Sequence, residues 1–126
     1  MGNRSERGQV LIEFALTLPV IILILTGIFD LGRAIYAYNA VANAAREGAR
    51  TGIFVKATDA KIKTAALQTA PGLSLSEEDV TINPSGSRDS GGTVEVTVTY
   101  PFQPVTSNLW GGSSIDISSS ATMYVE

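Results

Sequence analysis

The chain has 126 residues and a net charge of −3, with neither cysteine nor histidine. That excludes thiol chemistry, disulfides and imidazole, the commonest metal ligand. Charge divides along the sequence: residues 1–57 hold six basic and four acidic side chains, residues 58–126 three basic and eight acidic. No basic patch lies where a folded domain is expected, which argues against nucleic-acid binding.

Residues 1–8 form a short leader ending in Gly8, with Arg4 and Arg7 inside it. By the positive-inside rule these arginines favour a cytoplasmic N-terminus. From Phe14 to Phe29 there are 16 residues without a charge. As a helix they measure roughly 24 Å, and about 20 apolar residues cross a hydrocarbon core. Val10, Leu11 and Ile12 complete the span, but only by including Glu13. No small-residue cleavage site follows the run, so it is expected to remain in the mature protein. Pro19 removes a backbone donor and should kink or loosen the helix locally. Apolar spans tolerate this where neighbouring helices cover the freed carbonyl.

Glu13 has two readings. It is an acid at the membrane edge, or it is a partner for an amine. Cleavage after Gly8 would give Gln9 a free α-amino group, and Glu13 would then be the fifth residue, one helical turn on. A lone carboxylate among apolar helices is costly unless it is paired or protonated. A glycine, an acid five residues on and an apolar helix is similar to the processing signature of type IV prepilins. Gln9 stands where many type IV pilins carry Phe or Met.

The helical pattern continues beyond Asp30 to Gly52, now amphipathic. At 100° per residue, Leu31, Ala34, Ile35, Tyr38, Val41, Ala42, Ala45, Ala49 and Ile53 fall on one face. Asn39, Asn43, Arg46, Glu47 and Arg50 fall opposite. Ala40, Ala44, Gly48 and Gly52 recur every four residues along a flank. Such a ridge allows close backbone approach, either under a packed sheet or between subunits. The cluster Arg46 to Arg50 reads as a solvated salt-bridge face. The two glycines should end the helix near Thr51–Phe54.

Thr58 and Asp59 suit the N-cap and first turn of a second helix, with Ile62, Ala65, Ala66 and Leu67 as its apolar face. Pro71-Gly72 stops it. Ser74 to Glu78 is a loop or short turn. Strands follow at Val80–Ile82, Thr93–Tyr100 and Ile115–Val125, the last two alternating. Val94, Val96, Val98 and Tyr100 should share the inner face with Ile115, Ile117, Ala121, Met123 and Val125. Residues 83–92 are a polar loop too long for a tight hairpin, and Leu109 to Gly112 form another. Pro101 and Pro104 should end the second strand or push its tail to an edge. A three-stranded antiparallel meander needs cover to be stable, and the long helix supplies it.

No catalytic constellation emerges. Ser113-Ser114 and Ser118-Ser119-Ser120 have no histidine to activate them. Glu77, Glu78, Asp79 and Asp89 offer oxygen ligands, but their spacing fits no cation loop. No cofactor, metal or small-molecule substrate is expected, and the chain does not read as an enzyme. Trp110 and Phe102 are candidates for partner contact or for packing over the end of the sheet.

Three separated motifs carry a resemblance. They are Arg7-Gly8-Gln9 with Glu13-Phe14-Ala15-Leu16 and Leu18-Pro19; Gly27 with Asp30, Gly32 and Arg33; and Ala44-Ala45-Arg46-Glu47-Gly48-Ala49-Arg50. Together they resemble the TadE-like family, pilin-like or pseudopilin-like proteins of tight-adherence (Flp-type) pilus systems. The resemblance covers about the first 52 residues. It implies an α+β, pilin-like fold: one long N-terminal helix with a transmembrane first half, a short second helix and a small antiparallel sheet on the long helix. It implies a leader at 1–8, a transmembrane or filament-core helix at 9–30 and an extracytoplasmic domain at 31–126. Processing would involve Gly8, Gln9 and Glu13 and a prepilin peptidase. Subunit packing would involve Glu13, Pro19, Ala40, Ala44, Gly48 and Gly52. The partners implied are the membrane and other pilus-assembly subunits, met through the N-terminal helix. The contrasting reading is a single-span anchored domain that binds a partner and never enters a filament.

Overall fold

The computed structural model describes residues 3–126; the first two residues of the expected leader lie outside them. In chain order the elements are α1 (Asn3–Gly52), α2 (Asp59–Thr69), β1 (Val80–Asn83), β2 (Thr93–Phe102) and β3 (Ile115–Tyr124). Short 3₁₀ turns lie at Glu77–Asp79 and Val105–Leu109. The fold is α+β, as the sequence indicates.

α1 is one helix of 50 residues, about 75 Å long at ~1.5 Å per residue. It includes residues 3–8, the part expected to be a leader, and runs unbroken through Pro19. Its most apolar stretch is long enough to cross a membrane, and the rest of the chain buries none of it. The two threonines in this stretch turn their hydroxyls inward: Thr17 Oγ1 donates to the Glu13 carbonyl at 2.7 Å and Thr26 Oγ1 to the Ile22 carbonyl at 2.8 Å. Both polar groups are thereby satisfied within the helix.

The other half of α1 is the spine of the folded domain. Its buried residues are Asp30, Ala37, Ala40, Val41, Ala44, Ala45, Gly48, Ala49 and Gly52. This corrects the face read from the sequence. Leu31, Ile35 and Tyr38 are exposed, and the covered face is turned by about a quarter of a rotation at 100° per residue toward the small-residue flank. The reason is distance. A Cβ on Gly48 would lie 2.9 Å from Val96 Cγ1, and one on Gly52 would lie 3.0 Å from Val94 Cγ2. The sheet packs so closely that only small side chains fit beneath it.

α2 begins as its residues dictate. Thr58 has extended backbone angles and its Oγ1 accepts from the Lys61 N–H at 3.3 Å, satisfying one of the free donors of the first turn. Ile62 and Ala66 are buried against α1 and the sheet, with Leu67 partly so.

The sheet is an antiparallel meander in the order β1-β2-β3. Val94, Val96 and Val98 of the central strand are fully buried, and they are the alternate residues expected. β1 pairs with β2 only from Val80↔Val98 to Asn83↔Glu95, whereas β3 pairs with all of β2 from Thr93↔Tyr124 to Phe102↔Ile115. β2 therefore continues through Pro101 to Phe102, two residues further than expected. Pro101 is tolerated because that end has a neighbour on the β3 side alone, so its missing N–H breaks no ladder. On β3, Ile117, Ala121 and Met123 pack on the core, and Val125 just beyond it is buried. Ile115 has the expected parity but is 59 % exposed. It lies at the last rung of the ladder and shares the uncharged stretch that leads out of β2.

Candidate functional site

Gly8, Gln9 and Glu13 lie on the same exposed length of α1. A Cβ added to Gly8 would meet nothing within 4 Å, so the chain itself does not require glycine there. Gln9 and Glu13 are exposed. Ala40, Ala44, Gly48 and Gly52 are a different matter. They are consumed by the chain's own core, which corrects the idea that this ridge is left free for a second subunit. Pro19 is exposed on the apolar half of α1, beside a groove that also involves the β2–β3 loop. The two sets of candidate residues thus sit at opposite ends of one rod.

Between them lies Asp30, which the sequence presented only as part of a motif. It is 6 % exposed. Its Oδ1 accepts the Val105 N–H at 2.8 Å, and its Oδ2 accepts the Thr106 N–H at 2.9 Å and the Thr106 hydroxyl at 2.8 Å. The carboxylate therefore caps the first turn of the 3₁₀ segment Val105–Leu109, where free N–H groups favour an anion. Arg33, one turn along α1, donates to Asp30 Oδ1 and to the Gln103 carbonyl, both at 3.4 Å. Its guanidinium stands 5.2 Å from the Phe102 ring centroid and 5.9 Å from that of Phe29, within cation–π range. Phe102 is buried within this junction, whereas Trp110, at the loop tip, is 82 % exposed. The junction ties the start of the domain to the end of the apolar run.

A second missed element pins the loop at 83–92. Arg88 is 3 % exposed. Its Nη1 donates to Asp59 Oδ1 at 2.8 Å and to the Pro84 carbonyl at 3.2 Å, and its Nη2 donates to the Ala57 carbonyl at 2.7 Å. The Gly86 N–H donates to Asp59 Oδ2 at 2.8 Å. Burial pushes the Asp59 carboxyl up. The Arg88 and Gly86 hydrogen bonds, with the charges of Arg88 and Lys63, outweigh it and hold Asp59 below the ordinary carboxylate range. This is a structural staple between the start of α2 and the loop.

The charged run on α1 is a solvent face, with Arg50 Nη1 3.8 Å from Glu47 Oε2 and both side chains largely exposed. Among the described residues, no three acidic side chains gather closely enough to hold a metal ion.

Residues 8–50 match the TadE-like protein family. The match covers the apolar half of α1, Asp30 and Arg33, and the small-residue face as far as Gly48, and stops two residues short of the end of the helix. The matched segment is thus a rod, and the sheet domain is built on it. No curated protein and no solved structure matches the chain. With its long apolar N-terminal helix, the chain fits a membrane-anchored, pilin-like protein.

Proposed function

We propose that this chain is a TadE-like minor pilin or pseudopilin, a structural or assembly component of a tight-adherence-type pilus or related secretion apparatus, and not an enzyme. The observation that carries the reading is the match of residues 8–50 on a helix whose apolar half has no cover from its own chain. An apolar cylinder of that size needs lipid or other helices around it. In this reading the N-terminus is cytoplasmic, residues 9–30 span the membrane and the domain built from residues 31–126 stands on its outer side. A prepilin peptidase removes residues 1–8, the new Gln9 amine meets Glu13 of its own or an adjacent subunit, and the exposed helices pack together in the filament.

N-terminal sequencing of the mature protein, from cells that hold a prepilin peptidase, tests this. A chain beginning at Gln9 supports it, and Gly8→Val should abolish the cut. A full-length mature chain that never enters pili would favour the second reading, a single-span anchored binding domain. That reading draws support from the small-residue ridge, which the sheet covers completely. External protease on spheroplasts should digest residues 58–126; protection until the membrane is broken would reverse the topology.

A further inference from the structure

We infer that the β2–β3 loop is a second membrane-contact element, which enters the outer boundary of the bilayer beside the span and seats a phospholipid acyl chain between itself and α1. The inference rests on the reading above that the first half of α1 lies in a membrane. Asp30 holds the loop by the two N–H groups of Val105 and Thr106, and the loop then runs back along the apolar half of the helix. Between them is an open groove of about 750 Å³, with Leu18, Ile22 and Thr26 on one wall and Val105 and Leu109 on the other. The groove reaches as far as Ala15, fifteen residues before Asp30, or about 22 Å along a helix.

The chemistry of the groove is that of hydrocarbon. Its two hydroxyl side chains are already committed, Thr26 to the Ile22 carbonyl and Thr106 to Asp30, so neither needs water as a partner. From Phe102 to Ile115 there is no charged residue. Val105, Leu109 and Trp110 are 47 %, 66 % and 82 % exposed, an arrangement unfavourable in water but suited to the interface between headgroups and acyl chains, where tryptophan concentrates. The loop tip turns at Gly111 and Gly112, both with positive φ, which carries the chain back toward β3. Continuity identifies the occupant. The helix wall of the groove is the span itself, so the medium around the span fills the groove, and in a bilayer that medium is acyl chain.

Trp110 is the sole tryptophan and reports its own surroundings. The full-length chain is placed in phosphatidylcholine–phosphatidylglycerol vesicles, with plain or brominated acyl chains. Emission should lie to the blue of tryptophan in water, fall about twofold or more with brominated chains, and respond weakly to acrylamide, as for an interfacial indole. A parallel probe, Ile24→Trp in a Trp110→Phe background, reports the span, because Ile24 is exposed on the helix side away from the groove. Quenching of the span probe with Trp110 open to acrylamide and untouched by brominated lipid overturns the loop contact and leaves the anchor standing. Trp110 shielded from both quenchers means that protein covers it, a second copy included, and also overturns the proposal. If neither probe meets brominated lipid, the anchor reading falls and takes the loop contact with it.

Discussion

Asp30 and Thr106 stand 76 residues apart in sequence and are joined twice, since Asp30 Oδ2 accepts both the backbone N–H of Thr106, at 2.9 Å, and its hydroxyl, at 2.8 Å. With the Val105 N–H on Oδ1, one carboxylate fixes where the β2–β3 loop leaves the helix.

Hydrogen bonds to a charged group contribute about 1.5–3 kcal/mol each, and they are not additive within one cluster. Asp30→Ala should lower domain stability by about 2–4 kcal/mol and open residues 103–114 to protease. Asp30→Asn keeps a carbonyl acceptor and should fall between. Unchanged cleavage of the loop in detergent-solubilised Asp30→Ala would refute the capping role.

Gly48→Ala tests the close packing of helix and sheet. In an exposed helix the change should stabilise by about 1 kcal/mol. Here the new Cβ meets Val96 Cγ1 at 2.9 Å and Ala66 Cβ at 3.3 Å, and overpacking costs about 1–3 kcal/mol. The net effect should be destabilising, and Val96→Ala should lessen the penalty in a double-mutant cycle. Gly32→Ala meets nothing within 4 Å and should not destabilise. A higher melting temperature for Gly48→Ala would show that the sheet yields easily.

Val96→Asp should cost several kcal/mol, because it puts an unpaired charge into a fully buried position. Thr97 lies on the other face, beside Ser120 at 2.6 Å, and Thr97→Asp should be mild. Equal losses in melting temperature would contradict the alternation of β2.

Asp59 makes stability depend on pH. Its folded pKa is depressed, so its contribution is complete above the unfolded value of about 3.9 and disappears as pH falls through the lower folded value. Arg88→Met should remove part of this acid-side slope and destabilise by about 1–3 kcal/mol at neutral pH, less than a wholly buried pair would give because Asp59 is partly exposed. Denaturation curves of parent and variant that stay parallel from neutral pH down through the carboxylate range would mean that the pair does not link folding to pH.

Glu13→Gln keeps the shape of the side chain and removes its charge. It should insert at least as well as the parent, since the charge is what membrane entry penalises, and it should still be cut after Gly8. Pilus assembly should fall steeply. An amine–carboxylate pair at about 4 Å and an effective dielectric near 20 gains roughly 4 kcal/mol before desolvation, enough to choose one axial register over another. Pili at parental levels would leave Glu13 as no more than an interfacial acid.

The elements were legible because their periodicities are strong and local. The uncharged run, the alternating valines of β2 and the Thr58 cap each announce themselves within a few residues. What was hidden depends on partners far away in sequence. Asp30 looked like the end of an apolar run, because its two donors come 75 and 76 residues later. Arg88 sits in a loop of Asn, Pro, Ser and Gly, a composition that reads as exposed, and only the return to Asp59 buries it. Bulk points to Leu31, Ile35 and Tyr38 as the inner face of α1, and all three are exposed. The sheet in fact selected for smallness, which a hydrophobic pattern cannot weigh. Ala44, Gly48 and Asp30 all fall within the family-like motifs, but a motif does not say what task each residue performs.

The unbroken course of α1 from the apolar run into the core has a mechanical consequence. The domain grips the rod at two separated places, at Asp30 through the β2–β3 loop and at Gly48–Gly52 through Val94 and Val96, so it cannot swivel about the helix axis. Turning the apolar half of the rod turns the sheet by the same angle. In the proposed assembly, a choice of azimuth made among the apolar helices would set the compass direction in which β3 and the acidic loops face.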